Sequence, residues 1–127
     1  MTNLNEISKQ FHERAKQKGF WDDKREIGTL LMLVVSELSE ALEADRKNKH
    51  ADLYKFERRQ LTPLLTQPHW FINEFSAEIK DTFEDEIADT FIRLFDLVGF
   101  LGIDIDKHIE LKMKFNATRE HKHGKAY

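Results

Sequence analysis

A chain of 127 residues with 40% apolar and 11% aromatic side chains can bury one hydrophobic core, so one folded domain over residues 1–127 is expected. A formal charge of -3 gives no bulk attraction to polymeric nucleic acid or to an anionic membrane, and the absence of cysteine excludes disulfides, thiolate metal sites and thiol nucleophiles. The polar opening lacks the apolar core of a secretory leader and the longest apolar run, Leu30 to Val35, cannot span a bilayer, so the expectation is a cytoplasmic protein with no membrane partner.

Only 5 glycines and 2 prolines punctuate the chain, and apolar residues recur at three and four positions, which predicts an all-α fold. Asn3, with Glu6 three residues on, starts a first helix whose buried edge is Ile7, Phe11 and Ala15 and which ends near Gly19. Asp23 and Glu26 repeat that signal and open a second helix running to about Arg46. This helix is apolar on all sides between Leu30 and Val35, which in so short a chain implies a partner subunit. From about Lys47 to Lys80 the pattern loosens into a helical insertion, with short helices near 52–61 and 69–79 and with Pro63 and Pro68 suited to first turns. A third main helix begins near Asp81 or Thr82, carries Ile87, Phe91, Leu94, Phe95 and Val98 on one face, and stops at Gly99 and Gly102. A fourth opens at Asp104, buries Ile105, Ile109 and Met113, and fades toward Gly124. The expected architecture is an oligomeric bundle of four main helices with a helical insertion between the second and third.

Two acidic pairs disturb this apolar pattern. At about 100° per residue, Leu30, Leu33, Glu37, Glu40 and Ala44 share one stripe of the second helix, while Glu86 and Asp89 flank the stripe headed by Ile87 and Phe91 in the third. Side-by-side packing of these helices would bring four carboxylates together, and crowded carboxylates ionise together only around positive charge. Oxygen ligands without His or Cys point to Mg²⁺ or Mn²⁺, which shares its coordination with phosphate oxygens. An E-x-x-E pair is more commonly a solvated face, but Glu37 and Glu40 continue an apolar stripe. Near the end, Lys112, Asn116 and Arg119 fall at i, i+4 and i+7, followed by Lys125 and Tyr127. Cations at a helix C-terminus are favoured by the macrodipole alone. That does not explain Asn116, whereas a phosphate-binding face does.

In this order, "SELSEALEA", "EDEIADTFIRL" and "KMKFNATREHKHGKAY" resemble the MazG-like branch of the all-α nucleoside triphosphate pyrophosphohydrolases, whose pattern is E-x-x-E, then E-x-x-D, then a lysine, asparagine and arginine in the last helix. The early "FHERAKQKGFWDD" is similar to the family's first helix and following turn. The resemblance implies that Glu37, Glu40, Glu86 and Asp89 bind Mg²⁺; of these, we expect Glu37 or Glu40 also to orient or deprotonate the attacking water. It further implies that Lys112, Asn116, Arg119, Lys125 and Tyr127 hold phosphates and that His12 and Trp21 lie near the base or sugar, as in dCTP-cleaving relatives. The implied reaction hydrolyses a (deoxy)nucleoside triphosphate to the monophosphate and pyrophosphate in nucleotide-pool housecleaning, by a homodimer or a dimer of dimers.

Two features depart from the family pattern. The insertion lengthens the usual spacing between the acidic pairs, and its aromatics Tyr54, Phe56, Trp70, Phe71 and Phe75 are expected to serve packing. Arg93 stands where several relatives carry a tyrosine, and two roles stay open for it: pairing with Asp89 one turn earlier, or reaching a phosphate as a substrate-binding residue. The competing reading is a non-catalytic oligomeric helical scaffold. A carboxylate-bridged di-iron bundle would require two E-x-x-H motifs, and only Glu120 with His123 fits.

Overall fold

A computed structural model of the chain describes residues 3–60 and 69–126. The fold is all-α: among the described residues six helices, α1 (Leu4–Gln17), α2 (Ile27–Arg46), α3 (Leu53–Gln60), α4 (Trp70–Glu78), α5 (Phe83–Leu101) and α6 (Ile105–Ala117), precede a 3-10 turn at His121–Gly124. No strand occurs among the described residues, and none of their helices is long and apolar enough to cross a membrane. Pro63, Pro68 and Tyr127 lie outside the described residues. The described residues gather into two compact units, one from residues 3–24 and 95–126 and the other from residues 25–60 and 69–94.

In the first unit, the starts of α1 and α6 cap each other. Asn3 Oδ1 accepts the Glu6 N–H at 3.0 Å, and Asp104 Oδ1 accepts the Lys107 N–H at 3.1 Å, as N-caps do. Asp106 then accepts the otherwise unpaired first-turn N–H groups of Leu4 and Asn5 at 3.1 and 3.0 Å, while the Asn5 side chain donates to Asp104 at 2.9 Å. Gly99 lies inside α5 rather than ending it. A Cβ there would stand 2.4 Å from the Ser8 carbonyl oxygen, so the glycine serves the close crossing of α1 and the end of α5. The helix stops instead at Gly102, whose φ of +64° reverses the chain into α6.

In the second unit, α2 begins at Ile27. Asp23 does not cap it; Glu26, in extended backbone at φ -87° and ψ 133°, is the residue before the first helical turn, and its side chain makes no capping bond. The buried stripe of α2 runs through Leu30, Glu37, Ala41 and Ala44. Leu31, Met32, Val35, Leu38 and Leu42 are exposed, so the all-round burial expected between Leu30 and Val35 is not achieved within one chain. The insertion aromatics pack mainly on one another: the Phe56 ring stacks on Trp70 at 5.7 Å between centroids, and Phe71 stacks on Phe75 at 5.7 Å. Tyr54 is exposed, with the Arg58 guanidinium over its ring.

His50 ties the end of α2 to the start of α5. Its Nδ1 meets Glu84 at 3.0 Å and its Nε2 meets Asp45 at 3.1 Å, while Glu84 also accepts the Ala51 N–H at 2.8 Å. The Glu84 carboxylate, with Asp45, holds the imidazole pKa above its ordinary value, which favours the doubly donating imidazolium.

Replacing Gly99 with alanine is expected to lower stability by about 1–3 kcal/mol through overpacking against the Ser8 backbone. Gly28→Ala in α2, where nothing lies within 4 Å of the new Cβ, is expected to raise it by up to about 1 kcal/mol. Urea denaturation of both variants checks the contrast; equal effects would remove the reason given for Gly99.

Candidate metal centre

Glu37 from α2 and Glu86 from α5 are 7% and 6% exposed, and Glu40, one turn beyond Glu37, lies at the exposed edge of the same helix. Oxygen atoms of the three carboxylates lie within 4.8 Å of one another. Thr82 fixes the α5 side of this arrangement. Its buried hydroxyl donates to the Ile79 carbonyl at 2.7 Å and accepts the Asp85 N–H at 3.3 Å, placing Glu86 in the first turn of α5, where the helix dipole favours negative charge. On α2, burial of Ala41 and Ala44 continues the seam in which Glu37 sits.

The Arg93 side chain, seven residues after Glu86, donates from Nε to Glu37 Oε1 at 2.6 Å. Its ion-pair partner is thus Glu37 across the helix pair rather than Asp89 one turn earlier. Burial opposes ionisation of Glu37, yet the hydrogen bond that Arg93 donates, with hydrogen bonding among the Glu37, Glu40 and Glu86 carboxyls, holds its carboxyl below the ordinary range. Glu86 has no basic partner among the described residues; burial first, then the Glu37 and Glu40 carboxylates, push its pKa up to about 8. Asp89, half-buried and outside the group of three, is raised by burial and by the charges of Asp85, Glu37 and Glu40.

Glu86 also lies within 4.8 Å of carboxylate oxygens of Asp81 and Asp85. A cleft of about 370 Å³ beside it is lined by Glu40, Glu43, Lys47, Lys49 and Asp81. The three-carboxylate group supplies oxygen donors alone, two of them buried and one held against its own ionisation for want of positive charge. That donor set fits a hard divalent cation such as Mg²⁺ or Mn²⁺.

The other expected site residues belong to the first unit. His12 Nδ1 lies 2.9 Å from Asp96 Oδ1, and Trp21 Nε1 donates to both Asp96 oxygens at 2.9 and 3.1 Å. A carboxylate can only accept, so His12 Nδ1 is the donor in this contact. Phe100 stacks on Trp21 at 4.2 Å. Sequence reasoning missed Asp96 and Phe100; the signal for Asp96 was a lone acid within the apolar "LFDLVGFL" of α5. On α6 and just past its C-cap Thr118, Lys112 and Arg119 both lie over the Phe115 ring, at 5.4 and 5.6 Å, and the buried Asn116 Oδ1 meets no donor among the described residues. Lys125 is exposed just beyond the 3-10 turn.

Comparison with protein-family models, with curated proteins and with solved structures returned no match to the chain.

Because the Glu86 pKa rises from an ordinary 4.5 to about 8, the native chain retains a proton between those values that the unfolded chain has lost. Stability should therefore fall as pH rises through that window. Glu86→Gln is expected to flatten the decline and to be more stable than the unsubstituted chain by about 1–3 kcal/mol at alkaline pH without metal. Denaturation at pH 5 and pH 8.5 checks this; the same slope in both proteins would contradict it.

Proposed function

We propose that the chain is a divalent-cation-dependent hydrolase that cuts (deoxy)nucleoside triphosphates between the α and β phosphorus, releasing the monophosphate and pyrophosphate. The observation that carries this reading is the buried meeting of Glu37 and Glu86 with Glu40, with Arg93 as the one basic group paired to the trio among the described residues. The motif order E-x-x-E, E-x-x-D and Lys/Asn/Arg along the chain supports it. In this reading α1, α2, α5 and α6 are the four main helices and α3 and α4 form the insertion.

Glu37, Glu40 and Glu86, with Asp89 adjacent, would hold Mg²⁺ or Mn²⁺. When bound, such a cation supplies neutralisation of phosphate charge and a template for in-line water attack. Glu40 is the better placed of the two candidate bases, because it is exposed to solvent while Glu37 is buried. It would orient the attacking water and accept its proton. Motif order, rather than placement, assigns Lys112, Asn116, Arg119 and Lys125 to phosphate and His12 and Trp21 to base or sugar.

The exposed apolar residues of α2 support a homo-oligomer, since contiguous apolar surface of this kind marks association. The same face also suits an oligomeric scaffold without catalysis, and product analysis separates the two readings. Incubation with Mg²⁺ and each common (d)NTP should yield monophosphate and pyrophosphate for at least one base, with Glu37→Gln reducing turnover by at least about 100-fold. Intact triphosphates across the panel, or diphosphate with orthophosphate as products, would contradict the proposal.

A further inference from the structure

Arg93 contacts the acidic trio through one nitrogen only. Its Nε is 2.6 Å from Glu37 Oε1, and its terminal NH₂ groups have no hydrogen-bond partner among the described residues. The side chain is 38% exposed, although the Glu37 carboxylate that it holds is buried. A guanidinium presents its planar fork of donors through those terminal groups, and the fork is what recognises phosphate and carboxylate in two-point fashion. The buried end of Arg93 is therefore engaged and its most selective donors are not.

We propose that Arg93 is a resident counter-ion of the acidic trio, which releases Glu37 when a divalent cation binds and then contacts a phosphate oxygen of the bound ligand. The proposal rests on the metal-dependent reading of the same site. Glu37 cannot give its full charge to a cation while a guanidinium lies against its carboxylate, so Arg93 and the cation compete for that charge. Glu40 and Glu86 have no basic partner among the described residues, so competition is confined to Glu37. Three ionised carboxylates, one divalent cation and one guanidinium sum to zero formal charge. An incoming polyphosphate then meets a neutralised site, and Arg93, displaced but tethered on α5, keeps its terminal donors beside Glu37's former contact. Deleting Arg93 should consequently act in opposite directions on the two ligands, which a purely structural ion pair would not do.

Calorimetric titration of Mn²⁺ alone into the unsubstituted chain, Arg93→Gln, Arg93→Lys and Glu37→Gln tests the first half. Titration of the preformed Mn²⁺ complex of inorganic tripolyphosphate into the Mn²⁺-loaded proteins tests the second. Arg93→Gln is expected to bind Mn²⁺ about tenfold more tightly and the tripolyphosphate complex about tenfold more weakly. Arg93→Lys, which keeps the charge and loses the fork, should return Mn²⁺ affinity close to the original and recover only part of tripolyphosphate affinity; it also guards against a glutamine variant that does not fold. Mn²⁺ affinity unchanged or weakened in Arg93→Gln, or tripolyphosphate affinity unchanged in both variants, overturns the proposal while leaving the metal centre standing. No Mn²⁺ binding that depends on Glu37 overturns the metal centre and this proposal together.

Discussion

Glu37 and Glu86 bring two carboxylates from α2 and α5 into one buried volume, with a third from Glu40 at its edge. Like charges removed from water repel and lose hydration at once, so this arrangement persists only where protonation or positive charge offsets both costs. Both offsets are present in the chain. Arg93 neutralises Glu37, and Glu86 retains a proton. Neither is the natural resting state of an acid pair placed for packing alone, because leucine or methionine at position 86 would fill the same seam at no electrostatic cost.

The scaffold around these acids is built to hold the ends of α2 and α5 in register. His50 is bonded between Asp45 and Glu84, Glu84 receives the Ala51 N–H, and the Phe83 N–H donates to the Lys49 carbonyl at 2.9 Å. Thr82 then starts α5 so that Glu86 falls in its first turn. These bonds are local to the connection between the helices, yet they decide how Glu86 meets Glu37 and Glu40. In the first unit a similar economy holds: Asp104 and Asp106 satisfy the starts of two helices, and Asp96 receives both His12 and Trp21.

Much of this was legible in the sequence, because helix periodicity and caps are local properties. The helical class, the end of α2 near Arg46 and α6's cap at Asp104 follow from spacing and from Asp and Gly placement, and Glu37, Glu40 and Glu86 are three of the four carboxylates expected to converge, Asp89 lying outside the group. The remainder depends on which helix faces which. Helix spacing offered Arg93 only Asp89 as a partner, whereas packing supplied Glu37 from another helix. The buried stripe of α2 passes through Ala41, so Glu40 turns to solvent, a shift of one position that an idealised wheel does not resolve. Gly99 reads in sequence as a stop, since a glycine that ends a helix and one that admits a neighbouring backbone look alike until the Ser8 carbonyl is placed. Asp23 and Glu26 have the spacing of a capping pair, but the chain stays extended through Glu26.

A site that combines buried oxygen donors, an internal guanidinium counter-ion and a neighbouring cleft has the chemistry of a cation-and-phosphate centre rather than of a surface ion-pair network, where exposed pairs contribute little. The most direct measurement is a crystal grown with Mn²⁺ and examined for anomalous scattering at the manganese edge. A strong peak bonded by Glu37, Glu40 and Glu86, with the Arg93 guanidinium withdrawn from Glu37, is the expected result. Full-occupancy Mn²⁺ elsewhere, with Arg93 still seated on Glu37 and no density among the three carboxylates, would contradict it.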